Sequence, residues 1–585
     1  MLFPTVRVGL AAACGCRSYK RKAVNTHRSV GRLLFSSGTS LQEEPATKIS
    51  PESLYDSSKA LYNTPFVIFD TAKNGKCKLS TRRPNILTWY SCGPTVYDSA
   101  HIGHASSFIR QDVIRRILES LDKDLTIIQV MGITDIDDKI INRANQTGKE
   151  WNSVGKHYEQ EFIEDLKNLN VIQPHIFTRV SDYIPQIIGF VGNLIKGGYA
   201  YPVSDGSVYF DTEKFGSRYG KFRQANSDSQ EDEEDGTEFA GGKKSAKDFA
   251  VWKGAKPGEP FWESPWGTGK GRPGWHIECS VMATQIFGPN LDLHTGGKDL
   301  IFPHHENEEA QCCAHFDSSS WTSHWLHMGH LHFKGDVKMS KSLGNTVSIS
   351  NFLIDYSPDV LRIMCILSKY RKNLEYSQDS IDNAKKVLKK FHTFANDTSS
   401  ILDGSKPVNT TAEDAALWTK LESARTHLKA SLLNDFDTPE AVKTLMEFIS
   451  DFNRHHIPHD SSSSSSSSTN SNVSYELVLA SRIFALEFLN LVGFQEFTLD
   501  SRKSKGGGGH EIPYENLVEK FVQFRNQVRS YSLALNEPDK QLRKQKIGER
   551  AELITACDNV RNQLLAENGV EIKDHGKSSS WSFTK

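Results

Sequence analysis

The segment Ile86-Leu87-Thr88-Trp89-Tyr90-Ser91-Cys92, followed directly by Gly93-Pro94, is the strongest indication of fold class in this chain. It is short, apolar and rich in residues that favour strands, and Gly-Pro breaks regular structure, so we predict a buried strand that ends in a turn. From His104 to Leu121 the apolar residues recur at helical spacing, and Leu125–Val130 form a second β-prone run. A strand, a helix and a strand in this order predict a βαβ unit of an α/β fold with a parallel sheet.

The composition of the whole chain predicts several domains and no bulk charge. Its 585 residues are several times the usual length of one domain, and 70 Lys and Arg balance 71 Asp and Glu for a net charge of −1. Binding to nucleic acid would therefore depend on local basic patches. No apolar run is long enough to predict a membrane span. The nine scattered cysteines favour free thiols or metal ligands over a secreted disulfide framework.

The N-terminus differs in composition from the rest of the chain. Ser, Ala and short apolar stretches alternate with basic residues, and no acidic residue occurs before Glu43. The basic residues are Arg7, Arg17, Lys20, Arg21, Lys22, Arg28 and Arg32. This composition predicts a mitochondrial or chloroplast transit peptide, which we place at residues 1–45 and expect to be disordered. A disordered basic tail without a targeting function is the alternative.

Several breaks divide the remainder of the chain. The stretch Ser227–Glu238 is rich in Asp, Glu and Ser, which predicts a solvated loop. Beyond about residue 378, apolar residues such as Leu417 and Leu421 are spaced for helix faces, so we predict a helical C-terminal region. The runs Ser461–Ser468 and Gly506–Gly509 are typical of flexible linkers.

The first motif with chemical potential is His101-Ile102-Gly103-His104, at the start of the predicted helix. Unpaired backbone N–H groups and the positive end of the helix dipole favour phosphate there. Gly103 allows a ligand to approach closely, and two imidazoles can donate hydrogen bonds to it. A capped helix with surface histidines is the alternative.

The second motif is Lys338-Met339-Ser340-Lys341-Ser342, followed by Leu343-Gly344-Asn345. Two lysines and two hydroxyl groups beside a glycine favour a loop that holds a polyphosphate, although a solvated basic loop would have the same composition. The two motifs together, in this order and with the first on a strand-to-helix turn, resemble the two signatures of class I aminoacyl-tRNA synthetases.

A third group of residues has metal-binding chemistry. Cys92 ends the first strand, Cys279 lies in an Arg-Pro-Gly-Trp-His-Ile-Glu-Cys segment, and His304 and Glu308 are four residues apart on one predicted helix face. Two thiolates, an imidazole and a carboxylate make a plausible tetrahedral zinc site. Spacing alone does not select these four, because Cys312 shares the same helix face. A structural zinc or buried cysteines without a metal are the alternatives.

Taken in order, the segments of the chain resemble the cysteinyl-tRNA synthetase family from about residue 65 to the C-terminus. Besides the two ATP motifs, the segments that carry the resemblance are Cys92–Asp98, Arg272–Cys279, Gly296–Asp299 and Pro303–Glu308. The resemblance implies one zinc ion held by Cys92, Cys279, His304 and Glu308, to which the thiolate of the substrate cysteine adds. A thiolate binds zinc far better than a hydroxyl group, so such a site would reject serine without a separate editing domain.

The resemblance also implies roles for individual residues. Those implied in catalysis are His101, His104, Lys338 and Lys341. Those implied in ATP binding are His101, Gly103, His104 and Lys341. Those implied in cysteine binding are Gly93, Thr95, Thr134, Trp275, Asp299 and His304. Trp581, beside a lysine near the C-terminus, is the candidate for stacking on an anticodon base.

The fold implied is a Rossmann-like parallel-sheet catalytic domain, split by a connective insertion and followed by a mainly helical anticodon-binding domain. The implied divisions are a first catalytic half at 46–145, the insertion at 146–270, a second catalytic half at 271–375, a helical bundle at 376–500 and an anticodon-recognition segment at 501–585. The implied partners are tRNA(Cys), L-cysteine and ATP with Mg²⁺, for a monomer in the mitochondrion or chloroplast that does not bind membranes.

Two other function classes share some of these features. A ligase that joins cysteine to a small amine would keep the ATP motifs and the zinc ligands, but it would not need the long helical C-terminus. A non-catalytic tRNA-binding protein could lose His101, His104, Lys338 and Lys341, all of which are present.

Overall fold

The chain divides into two compact units, Met1–Leu499 and Asp500–Lys585. The structure, a computed structural model, describes residues 61–222, 242–333, 335, 337–338, 345–404, 414–456, 474–495, 497, 514–533, 539–564, 570–575 and 578–583. The predicted transit peptide, the acidic loop, both linkers and most of the Lys338–Ser342 motif lie outside the described residues.

The first unit alternates strands and helices before it becomes helical. Its strands are β1 (Tyr62–Asp70), β2 (Gly75–Thr81), β3 (Ile86–Thr95), β4 (Thr126–Thr134), β5 (Ile176–Arg179), β6 (Ala200–Pro202), β7 (Val208–Phe210), β8 (Phe249–Gly254), β9 (Trp262–Glu263), β10 (Lys270–Pro273), β11 (Leu291–Gly297), β12 (Thr322–Met328), β13 (Leu331–Phe333), β14 (Val337–Lys338) and β15 (Leu374–Tyr376). Its helices are α1 (Ile102–Leu121), α2 (Asp138–Thr147), α3 (Trp151–Asn168), α4 (Ile184–Lys196), α5 (Thr212–Phe215), α6 (Trp275–Phe287), α7 (Glu306–Phe316), α8 (Ile349–Asp355), α9 (Pro358–Ile366), α10 (Gln378–Leu402), α11 (Asp414–Leu433), α12 (Thr438–His456) and α13 (Tyr475–Leu491).

A five-stranded parallel sheet in the order β12-β11-β3-β4-β5 forms the centre of this unit. Strands β3 and β4 are joined by α1 and pair in parallel, which confirms the predicted βαβ unit and the α/β fold class. The edge strand β5 comes from within residues 146–270, so the segment predicted as an insertion also contributes a strand to the sheet.

Both faces of the parallel sheet are covered, and β3 shows how its sequence achieves this. Leu87 and Trp89 point into the hydrophobic core on one face, where α1 packs, whereas Tyr90 and Cys92 point into the core on the other face, near α6 and α7. Side chains alternate between the faces of a strand, and a parallel strand buried on both sides therefore reads as a continuous apolar run.

The insertion forms its own antiparallel sheet in the order β6-β7-β8-β10-β9. Trp252 and Phe210 are fully buried in this part of the unit and pack against other aromatic side chains. The last strand of the insertion, β10, leads directly into α6, so the insertion returns the chain to the parallel sheet at the segment that carries Cys279.

Helices α10 to α13 belong to the same compact unit as the sheet and share its hydrophobic core. A buried ion pair lies in this unit, with Arg362 Nη1 2.6 Å from Asp112 Oδ2. Arg362 also donates to the carbonyl groups of Leu169, Asn170 and Val492, which ties α1 and α9 to the end of α13. The described helices of the region predicted at 376–500 therefore pack against α1 and α9 of the same unit.

The second unit contains helices and a hairpin. Its elements are α14 (Tyr514–Leu533), α15 (Lys540–Glu549), α16 (Ala551–Asn559), β16 (Val570–His575) and β17 (Ser578–Phe583). Val522 and Ile572 belong to its small core, and Arg525 forms an ion pair with Asp574 at 2.8 Å. Across the parts of the chain that the structure describes, no helix combines the length and apolarity needed to cross a bilayer.

Candidate active site and metal centre

The candidate side chains come together at the carboxyl ends of the parallel strands. Cys92 lies near the end of β3, Thr134 ends β4, and His294 lies in the middle of β11. Cys279 lies in α6, and Glu308 lies in the first turn of α7. Ligands of open α/β sheets bind at this edge, because the loops that follow the strands converge there.

Four of the predicted residues, Cys92, Cys279, His304 and Glu308, form a buried cluster whose ligand atoms all lie within 4.8 Å of one another. The two Sγ atoms are 3.7 Å apart, Cys92 Sγ is 3.6 Å from Glu308 Oε1, and His304 Nε2 is 3.0 Å from the same oxygen. A tetrahedral metal bound to sulfur at about 2.3 Å and to oxygen at about 2.0 Å would separate two sulfurs by about 3.8 Å and a sulfur from an oxygen by about 3.5 Å. The donor types and their separations therefore fit a metal ion.

Cys312 is fully buried, but it does not belong to the metal-competent groups found among the described residues. Burial raises the pKa of its thiol well above the ordinary value. The thiol beside Cys92 is instead Cys279, whose helix α6 packs directly against α7. Tertiary placement thus distinguishes two cysteines that the sequence left as alternatives.

Two histidines that the sequence analysis did not select border the cluster. His294 Nε2 lies 2.9 Å from Glu308 Oε2, and His305 Nε2 lies 3.4 Å from Cys92 Sγ. Together with Cys92 and Glu308 they make a second group able to hold a metal, which shares two residues with the first. The available signal for His294 in the sequence was a histidine within a short, strand-like segment, Leu291–Gly297.

Electrostatics in the cluster favour the deprotonated forms of two ligands. Hydrogen bonding from Cys92 lowers the pKa of Cys279 to about 6. Burial opposes ionisation of Glu308, but His294 and His304 lower its pKa to about 2. Burial likewise opposes protonation of His304, yet Glu308 and Cys279 raise its pKa to about 10. Cys279 and Glu308 therefore favour their charged forms, whereas burial and the neighbouring Cys279 raise the pKa of the Cys92 thiol well above its ordinary value.

The start of α6 supports His304. His276 Nδ1 lies 3.0 Å from His304 Nδ1, while His304 Nε2 faces Glu308. The Trp275 ring stacks on the His304 ring, with 4.4 Å between their centroids. Trp275, predicted to contact cysteine, therefore lies against one side of the cluster.

The other residues predicted to bind cysteine occupy different surroundings. A Cβ atom on Gly93 would lie 2.3 Å from the carbonyl oxygen of Gly132, so β3 and β4 approach closely beside Cys92. Thr95 pairs with Thr134, whose Oγ1 donates to Glu278, the residue before Cys279, at 3.3 Å. Asp299 lies in a 3₁₀ turn with a half-exposed side chain, 4.0 Å from His330 Nε2.

The first ATP motif begins α1 as predicted. His101 is the N-cap residue, and its Nδ1 accepts a hydrogen bond from the Gly103 N–H at 3.1 Å. His104 Nδ1 accepts from the His101 N–H at 3.4 Å, and the two rings stack with 3.8 Å between centroids. Both histidines thus cap the helix.

The second ATP motif and the anticodon candidate are described only in part. Lys338 lies in β14, where its backbone pairs with His332, and Lys341 lies outside the described residues. Trp581 lies in β17, where it pairs with Ile572. Their roles stay predictions.

Comparison with known proteins defines the class to which this site belongs. Residues 78–386 match the family described as the tRNA synthetases class I (C) catalytic domain. In fold, the chain is similar to a Mycobacterium tuberculosis methionyl-tRNA synthetase solved in complex with methionyl-adenylate, with a TM-score of 0.51, 14% identity, and coverage of 70% of this chain and 92% of that one. The chain is a class I aminoacyl-tRNA synthetase.

Curated relatives define the family within that class. The chain is 40% identical over 590 residues to the protein named "Probable cysteine--tRNA ligase, mitochondrial" of Xenopus tropicalis, covering 97% of each. It is 38% identical over 522 residues to the cysteine–tRNA ligase of Thermococcus onnurineus, covering 88% of this chain and 98% of that one. The chain therefore belongs to the cysteine–tRNA ligase family.

Proposed function

We propose that this chain activates L-cysteine with ATP, transfers the cysteinyl group to tRNA(Cys), and uses a zinc ion held by Cys92, Cys279, His304 and Glu308 to select its substrate. The observation that carries the zinc proposal is the buried cluster of two thiols, an imidazole and a carboxylate at the carboxyl edge of the sheet. Sulfur and nitrogen donors favour zinc over magnesium or calcium, both of which prefer oxygen ligands. When bound, zinc would supply a Lewis acid that prefers a thiolate to the hydroxyl group of serine.

The protein residues around the cluster would orient the substrate. The Trp275 ring is stacked on His304, and the lack of a side chain at Gly93 lets β3 lie close against β4 beside Cys92. Thr95 and Thr134 lie side by side at the ends of β3 and β4, and we assign them to the amino or carboxylate group of cysteine. A half-exposed Asp299 carboxylate suits a cationic amino group or a ribose hydroxyl.

The chemistry of adenylate formation needs charge neutralisation and positioning more than a general base. The cysteine carboxylate attacks the α-phosphorus of ATP and pyrophosphate leaves with the Mg²⁺ that accompanies the nucleotide. We assign His101, Gly103 and His104, at the positive end of the α1 dipole, to the ATP phosphates and ribose. Lys341, supported by Lys338, would stabilise charge on the phosphorus oxygens and the pyrophosphate.

Recognition of tRNA(Cys) is assigned to the second unit, with Trp581 as the candidate for stacking on an anticodon base. We place the activity in the mitochondrion, with a chloroplast as the other possible destination. The basic, acid-free composition of residues 1–42 and the similarity to a relative named as mitochondrial support this location. Fluorescent fusions of the full chain with and without residues 1–45 test it, and unchanged location without that segment would refute the transit peptide.

Exchange of labelled pyrophosphate into ATP, followed by charging of tRNA(Cys), tests the activity. We expect exchange with cysteine, none above background with serine, and charging of the tRNA. No exchange would refute the enzymatic function, whereas exchange without charging would indicate a ligase that uses a small amine.

A matched pair of variants tests the metal ligands. Cys279→Ser should lose zinc and cysteine-dependent exchange, whereas Cys312→Ser should keep both. Both cysteines are buried on neighbouring helices, so a general effect of the substitution on folding would appear in both variants. The reverse result would mean that the wrong thiol has been assigned.

A further inference from the structure

A face of α10 carries four lysines that take no part in the site described above. The lysines are Lys385, Lys386, Lys389 and Lys390, and over residues 384–391 they are the only exposed side chains. The residues on the opposite side of these two turns are buried in the hydrophobic core: Ala384, Val387, Leu388 and Phe391. The solvent side of the helix is therefore uniformly positive over two turns, and we call it the α10 lysine face.

The charge of this face is not balanced by the protein. Among the residues that the structure describes, none of the four lysines forms an ion pair with a carboxylate. Asp382 is the only acidic residue from 380 to 396. Lys385 with Lys389, and Lys386 with Lys390, are like-charged pairs four residues apart, which repel each other on a helix. The arrangement therefore opposes helix stability, and packing of the fold does not explain it.

The α10 lysine face begins beside the segment that follows the second ATP motif. Lys385 Nζ lies 4.4 Å from the centre of the ring of Tyr356, the residue that ends α8. The chain just before α8 is joined to the start of α1, because the Ile102 N–H donates to the Val347 carbonyl group at 3.0 Å. From Lys385 the face extends along α10, with the second pair of lysines about 6 Å further along the helix axis.

This combination of charge and position suits a long polyanion. A lysine ammonium group is a point charge on a flexible stem, and it binds phosphate without requiring one fixed geometry. Contacts of this kind position a nucleic acid but do not read its sequence. Because the net charge of the whole chain is −1, attraction to RNA has to come from a local basic face of this type.

We propose that the α10 lysine face binds the phosphate backbone of tRNA and holds the RNA beside the ATP site. This inference rests on the proposed function, which supplies tRNA as the polyanion. The 3′ end of the tRNA has to reach the adenylate near the start of α1, so the rest of the RNA leaves the site past neighbouring surfaces, and the α10 lysine face is one of them. The contact is additional to the anticodon recognition assigned to the second unit.

Binding of a tRNA(Cys) transcript to the full-length protein, followed by fluorescence anisotropy over a series of KCl concentrations, tests this face. The double variant Lys389→Gln/Lys390→Gln should raise the Kd at low salt at least about fivefold, because two phosphate contacts are lost. The slope of log Kd against log KCl concentration should fall by about 2, roughly 1 for each contact. Cysteine-dependent pyrophosphate exchange should be unchanged, because it needs no RNA. Lys389→Arg/Lys390→Arg should keep the Kd and the slope, because arginine keeps both charges.

Two exposed lysines on other helices of the same unit provide a matched control. Lys420 on α11 and Lys443 on α12 are paired with Asp451 at 2.8 Å and with Glu440 at 3.4 Å. Lys420→Gln/Lys443→Gln removes the same charge and should leave the Kd and the salt slope nearly unchanged. An unchanged Kd and slope in Lys389→Gln/Lys390→Gln, or an equal loss in the control, would overturn this inference alone. Absence of pyrophosphate exchange in the unchanged protein would refute the proposed function, so the two failures can be distinguished.

Discussion

His276 provides the sharpest test of the proposed zinc site. It is not assigned as a ligand, but its Nδ1 lies 3.0 Å from His304 Nδ1, on the side of the ring opposite Glu308. If His304 binds the metal through Nε2, its Nδ1 carries a proton and needs an acceptor, and His276 is the residue in position to accept. We predict that His276→Phe weakens zinc binding while the four ligands remain in place.

The magnitude follows from the hydrogen bond that is lost. Both histidines are buried, with exposed fractions of 8% and 1%, so water has little access to replace the missing acceptor. Leaving a buried donor without a partner costs about 1–3 kcal/mol, which corresponds to a loss of roughly 5- to 150-fold in affinity. Loss of the outer hydrogen bond of a metal-binding histidine in other sites costs about 10- to 100-fold, in the same range.

Competition with a chromophoric chelator measures the zinc affinity, and pyrophosphate exchange measures the KM for cysteine and for ATP. We expect both the zinc Kd and the KM for cysteine to rise in His276→Phe, with little change in the KM for ATP. His276→Asn, which keeps an acceptor oxygen, should recover part of the zinc affinity. Unchanged zinc affinity in His276→Phe, or an equal loss in both variants, would refute the role assigned to this hydrogen bond.

Three further predictions concern the scaffold. Asp112→Ala should lower the free energy of unfolding by about 3–5 kcal/mol, because it leaves Arg362 buried without its carboxylate partner. Adding Arg362→Met should restore part of this loss, as measured by chemical denaturation. Additive losses in the double variant would contradict an energetic coupling between Asp112 and Arg362. Burial, with two neighbouring glutamates, raises the pKa of Asp165 to about 7, so its contribution to stability is present below its unfolded pKa and is lost as the pH rises through about 7. The free energy of unfolding of Asp165→Asn, measured by urea denaturation, should therefore rise by roughly 1–3 kcal/mol relative to that of the unchanged protein between pH 4 and pH 8. A parallel pH dependence in the two proteins would contradict this sign. Gly93→Ala should lower the thermal midpoint and cysteine-dependent exchange, because its Cβ would collide with a carbonyl of β4. Gly189→Ala, which lies inside α4 with open space around the Cβ position, should leave exchange unchanged and should not lower the thermal midpoint, because alanine favours a helix over glycine.

The elements that local pattern controls were predictable from the sequence. The apolar runs of β3 and β4 and the helical spacing of α1 gave the correct βαβ unit, because a strand buried on both faces has few polar residues. The four-residue spacing of His304 and Glu308 also predicted a contact, which the structure gives as 3.0 Å. By contrast, β5 is only four residues long and has no pattern that would assign it to the parallel sheet.

The features that depend on distant parts of the chain were not predictable. Cys279 and Cys312 are both buried helical cysteines, and only the packing of α6 places Cys279 beside Cys92. His294 reaches Glu308 because β11 pairs with β3, and no local signal records that pairing.

The strand order β12-β11-β3-β4-β5 has a consequence for the biogenesis of the metal centre. Its central pair, β11 and β3, joins segments from either side of the insertion, and Cys92 is separated by 187 residues from Cys279 and by 216 from Glu308. Contacts this distant in sequence form late, since a long loop must close before they contribute any stability. A nascent chain that has not yet emerged past residue 308 cannot assemble the cluster, whatever metal is present. Metal loading of the proposed site should therefore coincide with completion of the parallel sheet, and a chain held unfolded would carry no metal there.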